Sequence, residues 1–193
     1  MPSKSKHNTD EILKTEYNYI ANTVFQANED RSRVASFYFV TVGSLVAAIL
    51  GTIFSTENIK NFALAFSGLF VTLTILGALT LAQLARLRAA WHESVQAMNQ
   101  IKDYYIKNNK EIEPAFKWRE HSIPPTDKPF SIANLLAVEV STLSAITSAA
   151  ALYFLFLKFG DIAWWGWILL AAALLGGGYA QWMWYKSLLV DNQ

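Results

Sequence analysis

The sequence predicts an all-α membrane protein made of two transmembrane helical hairpins, four spans in all, with cytoplasmic helical extensions of the first hairpin. Three observations carry this expectation. Apolar residues make up 53% of the 193 residues, more than the roughly 45–50% usual in soluble domains. They gather in four blocks, 34–54, 62–85, 133–157 and 162–184, each nearly free of charge. Each block is long enough, at ~1.5 Å rise per residue, to cross a hydrocarbon core ~30 Å thick. The charges concentrate instead in 1–33 and 86–129, so those segments are written for water.

Residues 1–33 form the first region. Leu13, Tyr17, Ile20, Val24 and Ala27 recur at spacings of four and three, which makes one apolar stripe on a helix that runs unbroken into the first span. Thr9 or Asp10 is the expected N-cap. The first apolar block starts too late and runs too long for a cleavable signal, and reads as a retained span. Residues 34–85 are the first hairpin, closed by the short loop 55–61. Residues 130–185 are the second, closed by 158–161; loops so short require antiparallel neighbours.

Between the hairpins lies 86–129. Leu84, Leu87, Trp91, Val95, Met98, Ile101 and Tyr105 repeat the helical stripe, and neither Pro nor Gly interrupts 82–108, so the second span continues into the cytoplasm as one long helix. The two stripes are expected to pack on each other or on another subunit as a short bundle. Pro114, Pro124, Pro125 and Pro129 end that helix and mark an irregular, exposed connector suited to subunit-specific contacts. Residues 186–193 are a cytoplasmic tail.

Orientation follows from the cations. Lys4, Lys6, Lys14, Arg31 and Arg33 precede the first span, and eight more Lys and Arg lie in 86–129, whereas each hairpin tip has one, Lys60 or Lys158. Both termini and the central segment are therefore expected in the cytoplasm, with the protein multi-pass in a bacterial inner membrane. Trp164, Trp165 and Trp167 suit an outer aromatic belt, and Trp182, Trp184 and Tyr185 an inner one.

Catalytic motifs are missing. Cysteine is absent, which excludes disulfides, thiolate nucleophiles and cysteine metal sites. His7, His92 and His121 are scattered without an HExxH pattern, and there is no P-loop, GxSxG or dinucleotide-binding glycine motif. No enzyme, metal, cofactor or small-molecule substrate is expected, and a net charge of +1 gives no global case for nucleic acid.

Two constellations remain. In the third span Asn134, Ser141, Ser144 and Ser148 share one helical face and Glu139 lies nearly opposite. The hydroxyls suit a pore lining, which hydrates ions without trapping them, but small polar residues equally let spans pack closely. Glu139 reads as an ion-binding or gating carboxylate, or as an interfacial residue paired within the bundle. Two polar faces imply a helix surrounded by protein on most sides. Thr41, Ser44, Ala48, Gly51 and Thr52 form a similar small face in the first span, read as packing, and Gly176 to Gly178 either admit a neighbouring helix or make a flexible point. In the central segment Lys102, Tyr105, Lys107, Lys110, Trp118 and Arg119 combine charge with rings that could hold a phosphate-bearing ligand. The positive-inside bias with attraction to anionic lipid accounts for the same residues without a ligand.

Glu16-Tyr17-Asn18-Tyr19-Ile20, then Glu29-Asp30-Arg31-Ser32-Arg33 and Ser36-Phe37-Tyr38 at the start of an apolar hairpin, resemble the SLATT-type membrane effectors of bacterial antiphage systems. So do Arg86-Leu87-Arg88, Trp91, Asn99 and Ile101-Lys102-Asp103-Tyr104-Tyr105 on the long helix. The resemblance covers about 10–105; the second hairpin departs from it, since many such proteins have two spans. It implies an effector that oligomerises in the inner membrane and breaches it when a partner nucleotidyltransferase signals with a nucleotide or oligonucleotide. The resulting expectation is a homo-oligomeric channel, tetramer favoured, gated through its cytoplasmic helices and depolarising the membrane. The alternatives are a non-conducting anchor that docks a cytoplasmic partner, or a small transporter using Glu139.

Overall fold

Residues 3–42 contain neither Gly nor Pro, and nothing in the backbone interrupts helix propagation there. In the computed structural model, which describes residues 3–55 and 59–190, this stretch and the first span form one helix, α1 (Ser3–Ser55). A second long helix, α2 (Ala63–Asn108), holds the second span and its extension. At ~1.5 Å per residue the two are about 80 and 70 Å long, more than twice the ~30 Å hydrocarbon core. α3 (Ile132–Phe159) and α4 (Trp164–Val190) follow, with short 3-10 turns at Ile59–Asn61, Lys110–Ala115 and Glu120–Ser122. No strand occurs among the described residues.

α1, α2 and α3 are each long and apolar enough to cross a membrane. α4 is also predominantly apolar, but carries five Trp, two Tyr and Gln181. α2 is the central element and packs against α1, α3 and α4, while α3 pairs closely with α4. The core runs along these contacts through Tyr38, Val42 and Ile49 of α1, Phe70, Leu73 and Leu81 of α2, Val140 and Phe154 of α3, and Tyr185 and Leu189 of α4. The Phe154 ring stacks on Phe70 at 5.6 Å and meets Phe66 edge-on at 5.3 Å. In lipid, helices associate through close approach rather than hydrophobic exclusion, and Gly77 is where that approach is tightest. A methyl group there would lie 2.5 Å from Ser144 Oγ and 2.7 Å from the Tyr38 hydroxyl oxygen. Gly177 and Gly178 likewise bring α4 against Ser148 and Ala145 of α3, whereas Gly176 faces open space.

Several expectations are corrected. Thr9 and Asp10 lie inside α1, which already runs from Ser3, so neither is its N-cap. The inward stripe of the α2 extension is rotated by one position from the predicted one: Leu84, Ala85, Arg88 and Ala89 are buried, while Leu87 and Trp91 are half-buried. Small alanines permit closer approach than leucines, and Arg88 finds backbone acceptors on that side. The connector is not wholly exposed, because Thr126 is buried against α2. Tyr185 is a core residue, 1% exposed, and not part of an interfacial belt. α3 is not enclosed on most sides, since Leu135, Val138, Glu139, Thr142 and Ile146 are exposed. Of the predicted loop 55–61 and tail 186–193, residues 56–58 and 191–193 lie outside the described residues; Ile59–Asn61 forms a turn and α4 extends through Val190.

Candidate functional site

Buried polarity collects in two places. The first is a hydroxyl cluster midway along the bundle, where all four helices contribute. Ser144, fully buried on α3, donates its hydroxyl to the Thr74 carbonyl of α2 at 3.2 Å and accepts from Gln181 Nε2 of α4 at 2.8 Å. Thr147 donates to the Ser144 carbonyl at 2.8 Å, and its Oγ1 lies 3.0 Å from Thr74 Oγ1. Tyr38 of α1 is buried in the same cluster. Ser67 ties α2 to α3 further out, donating to the Ala151 carbonyl at 2.8 Å.

This places the candidate pore residues. Ser144 and Ser141 are sealed inside the protomer; Ser148 is half-buried, donating to the Ala145 carbonyl at 2.8 Å with the Ala173 carbonyl at 3.4 Å. Asn134 is half-buried in the first turn of α3, where its backbone N–H donates to Ser131 Oγ. Glu139, two turns into α3, is exposed on the open face and away from the serines. The structure therefore brings Ser141, Ser144 and Ser148 together as helix-packing groups within one protomer and leaves Glu139 apart. By contrast Ser44, Ala48 and Gly51 of α1 are exposed, and nothing lies within 4 Å of a methyl built at Gly51.

The second concentration is cationic and lies near the predicted span boundaries at 34, 85 and 133. Arg31 of α1 and Arg88 of α2 are 6% and 5% exposed. Each occupies a helical position where the pattern calls for an apolar side chain: Arg31 is four residues from both Ala27 and Ala35, which are buried, and Arg88 is four from buried Leu84. Arg88 donates from Nε to the Thr126 carbonyl at 3.2 Å and from Nη2 to the Pro125 carbonyl at 3.1 Å, while its guanidinium carbon sits 4.5 Å from the centre of the Trp91 ring. These contacts, worth more than neutral hydrogen bonds, hold the connector against α2. Arg31 donates from Nη2 to Asn28 Oδ1, but its Nε is buried with no partner among the described residues. Burial lowers the pKa of both guanidinium groups, and at Arg31 the Arg88 charge pushes further in the same direction. The nearby Tyr185 acts against both shifts. Arginine nonetheless stays charged. Arg31, Arg88 and Lys128, with Trp91, Phe130 and Ser131, line a cavity of about 670 Å3. Among the described residues no carboxylate lines it.

The six central-segment residues are partly brought together. Lys102 Nζ donates to Asn99 Oδ1 at 3.1 Å and to the Trp118 carbonyl at 3.3 Å, and burial pushes its ammonium pKa down. Arg119 pairs with Glu113 at 2.9 Å and Asp103 at 3.4 Å, which push its pKa up. The Tyr105 hydroxyl reaches the Asp10 carbonyl at 3.5 Å, and with Leu13, Tyr17, Ile101 and Phe116 this ring lines a groove between the two long helices. Trp118 is largely exposed, and Lys107 and Lys110 are exposed near the end of α2. The two arginines of the cavity were counted in the sequence among the inside cations, or quoted as motif letters, and not as a pair. The signal that marks them is an arginine on each buried stripe.

Comparison with known protein families, with curated proteins and with solved structures finds no match to this chain.

Proposed function

We propose that the chain is a four-span inner-membrane protein with cytoplasmic termini that assembles as a homo-oligomer, a tetramer by preference, and conducts ions along the axis between protomers. The fourth span is α4: its 27 residues exceed the ~20 needed to cross, and its exposed Trp164, Trp165 and Trp167 fit an interfacial belt. The distribution of cations supports the orientation.

The observation that carries conduction is the uncovered small face of α1. Ser44, Ala48 and Gly51 are exposed on the protomer, whereas Ser144 and Ser148 of α3 bond to α2 and α4. A lipid-facing helix has no need of a seam of small and hydroxyl residues, but a helix meeting copies of itself around an aqueous axis does. The pore lining is accordingly assigned to α1 and not to Ser141, Ser144 and Ser148. The resemblance to antiphage effectors supplies the biological setting: a nucleotide or oligonucleotide made by a partner nucleotidyltransferase gates the pore through the cytoplasmic lengths of α1 and α2, and opening depolarises the membrane.

The absence of cysteine makes the test clean. Single substitutions Ser44→Cys, Gly51→Cys and Ser144→Cys are reconstituted in liposomes and ion flux is followed before and after a charged thiol reagent. Modification should change flux at positions 44 and 51 and leave position 144 unreactive. An intact oligomer that passes no ions, with or without candidate nucleotides, refutes conduction. A second reading, a non-conducting anchor, is favoured by the exposed Ile12 and Tyr19, seven residues apart on one face of α1 outside the span. Expression that neither depolarises nor slows cells would select it.

A further inference from the structure

We propose that the cavity bounded by Arg31, Arg88, Lys128 and the first turn of α3 binds a phosphate group, carried either by an anionic lipid headgroup or by a soluble phosphate compound. The inference goes beyond the conducting reading and stands even if no ion passes.

Three independent features converge on it. Two guanidinium groups, each at least nine-tenths buried, face one cavity with Lys128 and, among the described residues, no carboxylate. Arg31 Nε is among the buried donors that no described residue satisfies. A buried charge without a counter-charge is costly, and the acid next to Arg31 in sequence, Asp30, is engaged by Arg33 at 3.2 Å. The third feature is α3 itself. Its N-cap Ser131 accepts from the Asn134 amide at 3.2 Å, while the first amides of a helix have no acceptor within it and carry the positive end of its dipole. That end opens at Ser131, Ile132 and Ala133 on the cavity wall. Arginine forks and helix N-termini are the two protein devices best suited to phosphate oxygens. The cavity is also far larger than the ~30 Å3 share of one water molecule. Its other wall is Trp91, Phe130 and Leu136, suited to the carbon side of a phosphate ester.

Arg31, Arg88 and Ser131 lie within three residues of the predicted span start at 34, the span end at 85 and the span start at 133. That is the depth at which lipid phosphates lie, on the side where cations accumulate.

The experiment uses the full chain purified in a neutral detergent, with thermal unfolding followed by tryptophan fluorescence. Three additions are titrated separately: phosphatidylglycerol, phosphatidylcholine and pyrophosphate. The wild type should gain stability with phosphatidylglycerol over phosphatidylcholine if the source is lipid, or with pyrophosphate if the source is soluble. Arg31→Gln should weaken the responding titration about tenfold or more, the usual consequence of deleting a charge-assisted contact. Lys128→Gln, at an exposed side chain, should weaken it several-fold and serves if Arg31→Gln fails to fold. The proposal is overturned if neither anion stabilises the wild type, if both lipids act equally and pyrophosphate not at all, or if Lys128→Gln responds as the wild type does.

Discussion

Gly77→Ala tests the account of helix packing most directly. Adding one methyl to a helix ordinarily gains up to ~1 kcal/mol, because alanine propagates a helix better than glycine. Here the new carbon would stand 2.5 Å from Ser144 Oγ and 2.6 Å from Ser144 Cβ, against an ordinary contact of 3.4 Å or more. α2 and α3 must therefore part by up to 0.9 Å, the difference between 3.4 and 2.5, and the 3.2 Å bond from Ser144 to the Thr74 carbonyl stretches with them. Overpacking of this kind costs ~1–3 kcal/mol. The propensity gain offsets part of it, leaving a net loss of up to about 2 kcal/mol. Unfolding in mixed micelles of mild detergent and dodecyl sulfate, read by tryptophan fluorescence, measures the difference. Gly68→Ala is the control of opposite sign, since nothing lies within 4 Å of its new methyl; it should be neutral or stabilising. Pairing Gly77→Ala with Ser144→Gly removes both nearest atoms and should recover part of the loss. A Gly77→Ala protein as stable as the wild type, or a double variant no better than the single one, refutes the reasoning.

Phe130 holds a left-handed backbone conformation, with φ of 57°, which costs a bulky L-residue roughly 1–2 kcal/mol. Because its ring is 86% exposed, Phe130→Gly should stabilise the connector by up to about 1 kcal/mol, less the entropy that glycine adds to the unfolded chain, seen as slower tryptic cleavage at Lys110, Lys117 and Arg119. Arg88→Met removes both bonds to the Pro125 and Thr126 carbonyls and the contact with Trp91. Cleavage in the connector should accelerate several-fold while α1 to α4 stay intact, and an unchanged digestion pattern would show that Arg88 does not hold the connector. Lys102 has its ammonium pKa lowered by burial, so the unfolded chain binds that proton more tightly. Its share of stability therefore increases as pH rises through the lowered value toward the ordinary lysine pKa of ~10.4. Lys102→Met should flatten that part of the stability curve in detergent, and an unaltered slope would exclude the effect.

How much of the candidate site was legible depended on the distance over which its signal acts. The unbroken α1 and α2 could be read because the absence of Pro and Gly is a property of each stretch by itself. The serine face of α3 was legible as a face, yet its role was not, because Ser144 and Ser148 are satisfied by the Thr74 and Ala173 carbonyls on other helices. The cationic cavity escaped because Arg31 and Arg88 are 57 positions apart, 88 less 31, and an arginine on an apolar stripe counts as noise until its neighbour is known. The phase of the α2 extension was misjudged for the same reason: greasy side chains marked one face, while Ala85 and Ala89 turn the adjoining one inward.

By itself the sequence determined that the chain is helical and that at least three of its helices can cross a bilayer. Helix formation is a matter of neighbours three and four residues apart, and hydrocarbon thickness is a length any apolar run can be measured against. Only the tertiary structure decided which faces turn inward, which hydroxyls are consumed in packing and where two arginines share a cavity that no described carboxylate lines. Those outcomes depend on close approach between helices, set at Gly77 by the room one hydrogen atom leaves for Ser144 and Tyr38.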